Sequence, residues 1–296
     1  PGQGVEGLAR DLVGVARAAI DDRQDLTAHA FDRVLVETGR DAVSWNVIAA
    51  PEFSLEPRRW CFLVAGCVPY RGYFERDAAE RFARKLEQRG YDVALAPAIA
   101  YSTLGWFDDP LLDTMFRGGE ARLAGLVFHE LAHRTLYVGG DSTFNESFAT
   151  FVEETGVRLW LESRGERETH ETWRASRDAQ KKVDALVLDY RDALAGLYDS
   201  GQTEAGMRRE KARLLKSLCA AVNGDESGAC GLNNASLALR HAYRGAVCAF
   251  ERLYERSGGD MILFLDRAAG IAQGPANERT EWLNRPCDPV APGNDL

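Results

Sequence analysis

Leu126–Glu154 reads LVFHELAHRTLYVGGDSTFNESFATFVEE. It holds His129-Glu130-Leu131-Ala132-His133, and thirteen residues after His133 comes Glu146, preceded by Asn145. On a helix, residues i and i+4 lie on one face, so His129 and His133 can grip one ion. Glu130, next to the first ligand, can reach a water on that ion. Glu146 is placed to supply a third ligand from a second helix. Two His and one Glu, with a fourth position open to water, form the ligand set of a catalytic zinc site rather than a structural one.

A short motif of this kind can also arise by chance on an exposed helix, with its charges solvated. The surroundings argue otherwise. Leu123, Leu126, Val127, Phe128, Leu131 and Ala132 make the helix apolar, and burying two His and a Glu without a partner would be costly. Glu146 lies in a second apolar-periodic segment (Phe144, Phe148, Phe151, Val152) after the breaker Gly139-Gly140-Asp141. Asp141 or Ser142 is the expected N-cap of that segment. Helix, tight reversal, helix would return Glu146 toward His133.

HExxH followed by NExxA on the next helix resembles the gluzincin metallopeptidases. CVPYRGYF (67–74), YSTLGWFDDP (101–110), HELAH and FNESFATFVEE together resemble a bacterial family of zinc aminopeptidases, often made as lipoproteins. The resemblance is strong over about residues 40–165 and weaker from Asn233-Asn234-Ala235 onward. It implies an α+β, mostly α, zincin-like fold, one Zn2+ per chain, and peptide hydrolysis. Many gluzincins support the first His with a carboxylate one turn after the ligand Glu. Here Thr150 occupies that position, which leaves the partner of His129 open.

A chain of 296 residues can bury one large core or two small ones. Its charged and apolar fractions are those of an ordinary globular protein. The net charge of −9 argues against nucleic acid, which calls for a basic face, and against an anionic membrane surface. No apolar run is long enough to span a bilayer. The chain starts at Pro1 rather than Met, so a missing N-terminal piece is expected; if it carried a signal peptide or lipid anchor the protein is exported, and otherwise it is cytoplasmic. Six cysteines are too few for a disulfide scaffold. Their even number fits export, with free buried thiols an equal alternative. Cys61 and Cys67 can pair if Ala65-Gly66 makes a turn; in one straight strand they would be too far apart.

Residues 5–40 read as two helices, with Leu8, Leu12, Val15 and Ala19, then Ala30, Val34 and Leu35, at helical spacing. Strands are expected at 43–50, 60–68 and 91–100, and a helix at 75–89 ended by Gly90. The small N-terminal sheet is read as mixed. Its strand Ala96–Thr103 is the candidate to pair with extended substrate. Asp108-Asp109-Pro110 reads as the N-cap of a helix starting near Leu111. Helices follow at 142–163, 166–200, 203–222, 234–257 and 260–272, with an irregular tail from Gln273. Arg208-Arg209-Glu210-Lys211 reads as a solvated face. These readings divide the chain into an N-terminal part (1–119), the zinc helices (120–165) and a helical C-terminal part (166–296), forming one integrated unit.

Peptide hydrolysis assigns Glu130 the role of general base. An oxyanion donor outside the metal shell is also needed. The candidates are Tyr137, Tyr101, His241 and Tyr243. Tyr243 is preferred because it lies far downstream, after the Asn233-Asn234 segment. The competing reading makes it a Tyr on a core helix. Arg71, Tyr73 and Tyr101 are the candidate substrate-binding residues. Arg71 would meet a carboxylate, or else form a structural ion pair. Glu52, Glu56, Asp108 and Asp109 are available for a substrate ammonium. The alternatives to a peptidase are a zinc hydrolase of a small amide and a non-catalytic metal-binding protein. The presence of Glu130, which donates nothing to the metal, favours catalysis.

Overall fold

The computed structural model describes residues 35–36, 39–62, 66–98, 111–112, 114, 119–165, 167–223 and 230–285. Its elements run β1 (Leu35–Val36), β2 (Ser44–Pro51), β3 (Trp60–Phe62), β4 (Gly66–Val68), β5 (Arg71–Tyr73), α1 (Arg76–Glu87), β6 (Tyr91–Ala98), β7 (Leu111–Leu112), α2 (Glu120–Thr135), α3 (Ser142–Arg164), α4 (Arg167–Tyr198), α5 (Glu204–Asn223), α6 (Asn234–Arg244), α7 (Val247–Arg256), α8 (Met261–Gln273) and α9 (Ala276–Leu283). The class is α+β, mostly α, with the strands early in the chain. Two compact units result. One draws on 1–36, 102–166 and 243–296, the other on 37–101 and 167–242.

The second of these units is built around a three-stranded antiparallel sheet in the order β5-β2-β6. Alternation along β2 decides its packing, because successive side chains point to opposite faces. Val47 and Ala49 meet Ala79, Ala83 and Leu86 of α1. Ile48 and Ala50 meet Ala235 and Leu239 of α6. Helix α1 stops before Gly90, whose φ of 83° suits the left-handed turn that glycine takes without a Cβ clash. Val187, Leu194, Leu197, Leu218 and Leu237 weld α4, α5 and α6 into a second layer of core. The sheet is antiparallel where a mixed one was expected. Among the described residues, parallel pairing occurs in the short β1–β7 contact. Strands β3 and β4 form a hairpin with Cys61 opposite Cys67, joined as a disulfide. Ala65, expected to turn with Gly66, lies outside the described residues. Cys219 and Cys230 are also bonded, and so is Cys248.

A buried polar node ties this sheet to its helices. Lys211 Nζ donates to Asp92 Oδ2 at 2.7 Å and to the Glu52 carbonyl at 2.8 Å. Asn234 donates its backbone N to the same Asp92 oxygen and its amide to the Glu52 carbonyl, and accepts from Tyr198. Lys211 is therefore buried, not part of a solvated face. An ammonium enters a core when a carboxylate and a carbonyl satisfy it.

In the other unit, Phe144, Phe148 and Phe151 share one face of α3. They pack on Phe250 of α7 and Phe264 of α8, with Trp282 of α9 closing on Phe250 at 5.1 Å. Each fully buried Phe contributes about 1.5–3 kcal/mol by removal of apolar surface from water. Four expectations are corrected. Leu35–Val36 is a strand, not the end of a helix, and Leu111–Leu112 is its parallel partner rather than a helix start. The span 234–257 breaks at Gly245-Ala246 into α6 and α7, where glycine weakens the helix and the Ala246 N–H turns to Ser147 Oγ. The tail contains α9, held by Trp282 and by the buried Arg279. Residues 5–34 lie outside the described residues.

Candidate metal centre

Helix α2 presents His129 and His133 from consecutive turns, with ring centroids 4.8 Å apart. Helix α3 presents Glu146 opposite them. The reversal between the two is fixed by side chains. Asn145 Oδ1 accepts from Val138 N and its Nδ2 donates to Val138 O, both at 2.8 Å. Asp141 Oδ1 caps α3 by accepting from Phe144 N, while its Oδ2 meets Arg279 Nε at 2.6 Å. Asn145 thus clamps the loop whose closure turns its neighbour Glu146 toward the histidines.

The helices approach closely because glycines line the crossing. A Cβ on Gly156 would sit 2.7 Å from the Phe128 ring, and one on Gly125 would sit 3.2 Å from Glu153 Cγ.

Glu146 Oε2 lies 3.4 Å from His129 Nε2 and 3.6 Å from His133 Nε2. This oxygen is buried without a hydrogen-bond partner. The ligand atoms of the trio all lie within 4.8 Å of one another. Tetrahedral zinc with bonds of 2.0–2.2 Å spaces its ligands about 3.3–3.6 Å apart, so the donor set and its two His–Glu spacings fit such an ion. Burial opposes charge on both groups, yet each holds the other ionised. Burial alone would raise the Glu146 carboxyl, but the two imidazoles hold it down at about 2. Burial likewise works against a charged His129, but Glu146 and Glu153 lift the ring to about 10. Without metal the site therefore balances its carboxylate with an imidazolium proton.

Sequence reasoning missed Glu153, whose Oε2 lies 3.1 Å from His129 Nδ1. It follows Glu146 by seven residues, two turns along the same face, not by the single turn at which Thr150 stands. That seven-residue spacing was the available signal.

Two tyrosines flank the imidazoles. Tyr243, at the end of α6, lies nearly parallel to His129 at 6.1 Å and 21°. Tyr137, after α2, stands edge-on to His133 at 6.4 Å. Burial and then the Glu146 carboxylate raise the Tyr137 hydroxyl above its ordinary pKa. Glu130 follows His129 on α2 and is partly exposed.

The remaining candidates belong to the sheet unit or lie outside the described residues. Arg71 and Tyr73 sit on β5 in the sheet unit, where the guanidinium covers the rings of Tyr73 and Phe82 at 5.5 and 5.0 Å. Tyr73 packs against the α1 core. Glu52 is engaged by Arg208 at 2.6 and 2.8 Å. His241 is a half-buried ring in the sheet unit, its pKa depressed to about 4 by desolvation and then by the Arg191 cation. Tyr101, Asp108 and Asp109 lie outside the described residues. Strand β6 ends at Ala98, so the proposed substrate-pairing stretch is described only in its first three residues. No helix among the described residues is long and apolar enough to cross a membrane.

The model of a family described as "Putative aminopeptidase" matches residues 11–283. No curated protein and no solved structure matches the chain.

Proposed function

The chain belongs to the putative aminopeptidase family, and from that membership we propose that it is a zinc-dependent, gluzincin-type peptidase of zincin-like fold that removes residues from free N-termini. The observation that carries this reading is the approach of two imidazole nitrogens to one buried carboxylate oxygen at 3.4 and 3.6 Å. His129, His133 and Glu146 would hold the ion. Zinc bound there supplies Lewis acidity toward the scissile carbonyl and a water whose pKa falls to about 7.

The chain's own groups do the rest. Glu130 accepts the proton of the attacking water and returns it to the leaving amine. Tyr243 donates its phenolic hydroxyl to the oxyanion that develops on the carbonyl oxygen. Glu153 accepts from His129 Nδ1, which keeps Nε2 free as a donor atom for the ion and fixes the ring plane. The disulfides at Cys61–Cys67 and Cys219–Cys230 support work in an oxidising compartment, outside the reducing cytosol.

The test is metal analysis of the purified protein together with a panel of aminoacyl-anilides, with and without chelator. Chelator-sensitive cleavage of free-amine substrates, with acetylated ones spared, is the expected result. Equal cleavage of acetylated substrates would sink the N-terminal specificity. Activity that survives complete metal removal would sink the zinc mechanism.

A further inference from the structure

Tyr243 is 37% exposed and stands one residue from the end of α6, so enclosure in a core does not set its position. Two contacts fasten this helix end to α3. Arg244 Nη1 donates to Glu154 Oε1 at 2.5 Å, with side chains 13% and 10% exposed. Two residues on, Ala246 N donates to Ser147 Oγ at 3.3 Å. Glu154 directly follows Glu153, which holds His129 Nδ1. One turn of α3 therefore carries both the partner of a metal-ligating imidazole and the anchor of the helix end that brings Tyr243 against that imidazole.

A buried ion pair adds little net stability, because desolvation of both charges offsets their attraction, and an apolar pair of similar volume would hold the helix as well. What guanidinium and carboxylate add is direction: a charge-assisted N–H···O bond from a rigid, planar guanidinium fixes angle as well as distance.

We propose that Glu154 and Arg244 are positioning residues, setting Tyr243 against His129 so that its hydroxyl meets the developing oxyanion. This rests on the reading of Tyr243 as oxyanion donor.

The experiment compares Y243F, R244M, R244K and R244M/Y243F in the zinc-loaded full chain on a free-amine anilide. Y243F should lower kcat about a hundredfold. R244M should lower kcat at least about tenfold, as expected of a misplaced catalytic group, with KM and zinc content retained. R244K should recover part of the loss. In the Y243F background R244M should cost nothing further. An equal loss from R244M with and without the Tyr243 hydroxyl would overturn the proposal, and so would loss of zinc in R244M. Full kcat in Y243F would also overturn it, yet the zinc reading would stand if E130Q is inactive. Should R244M fail to fold, or the anilides not be cleaved, a crystal structure of zinc-loaded E154Q decides. A Tyr243 ring displaced from His129 supports the proposal, and an unmoved ring refutes it.

Discussion

Glu153 Oε2 lies 3.1 Å from His129 Nδ1, two turns beyond Glu146 on the same helix. One helix thus supplies a ligand to the proposed ion and the brace of a second ligand. In a zinc-loaded site the contact would fix the tautomer of His129 and raise its basicity. Glu153→Gln should weaken zinc binding about 10–100-fold, with activity recovered at saturating zinc. Competition against a chromogenic chelator measures the first effect and a zinc titration of activity the second. Unchanged zinc affinity would remove Glu153 from the site.

In the proposed mechanism Glu130 gives nothing to the ion, so its loss separates chemistry from binding. Glu130→Gln should keep one zinc per chain and lower kcat by about 10²-fold or more, the range of general base catalysis. Metal analysis and steady-state rates on one preparation check both parts.

The cluster of two histidines and a glutamate was legible because helical periodicity and a five-residue motif are local properties. His129, His133 and Glu146 needed only a reversal between them, and Gly139-Gly140-Asp141 announced one. Glu153 escaped because a resemblance pointed to Thr150, one turn earlier. Lys211 escaped because a sequence run shows charge but not the carboxylate at Asp92 that permits its burial. Helix α9 escaped because a Pro/Asn-rich segment has weak propensity, and its helix is sustained by Trp282 on Phe250 and by Arg279 on Asp141. The sheet's antiparallel order was hidden for a related reason: strand pairing is a long-range property that no single stretch records.

Metal binding should be proton-linked. Without metal, His129 keeps its proton until about pH 10, and ligation requires the neutral ring. From pH 6 to 9 the apparent zinc affinity should therefore rise about tenfold per pH unit from this residue alone. Calorimetry in buffers of different ionisation enthalpy should count at least one proton released per zinc at neutral pH. Zero release would contradict the ion pair at the site.

The crossing of α2 and α3 leaves no room at Gly156, where an added Cβ would lie 2.7 Å from the Phe128 ring. That ring is buried and cannot swing away cheaply. Gly156→Ala should destabilise the fold by about 1–3 kcal/mol, the usual cost of overpacking. Because Phe128 precedes His129, the variant should also loosen the proposed zinc site. Chemical denaturation with and without zinc measures both.

His241 should make the fold acid-sensitive. Its folded pKa, near 4, lies below the ordinary value of 6.5 because burial and the Arg191 cation disfavour the charged ring. Above pH 6.5 the ring is neutral in folded and unfolded chains and contributes no pH dependence. Between pH 6.5 and 4 the unfolded chain binds the proton and the folded chain does not, so stability falls as pH falls. The loss approaches on the order of 3 kcal/mol as an upper limit, at 1.36 kcal/mol per pKa unit. Replacing the ring with one that cannot titrate, His241→Phe, should flatten the change in unfolding free energy between pH 7 and pH 4.5. Urea denaturation at the two pH values measures it. An equal slope in variant and parent would show that another group carries the acid response.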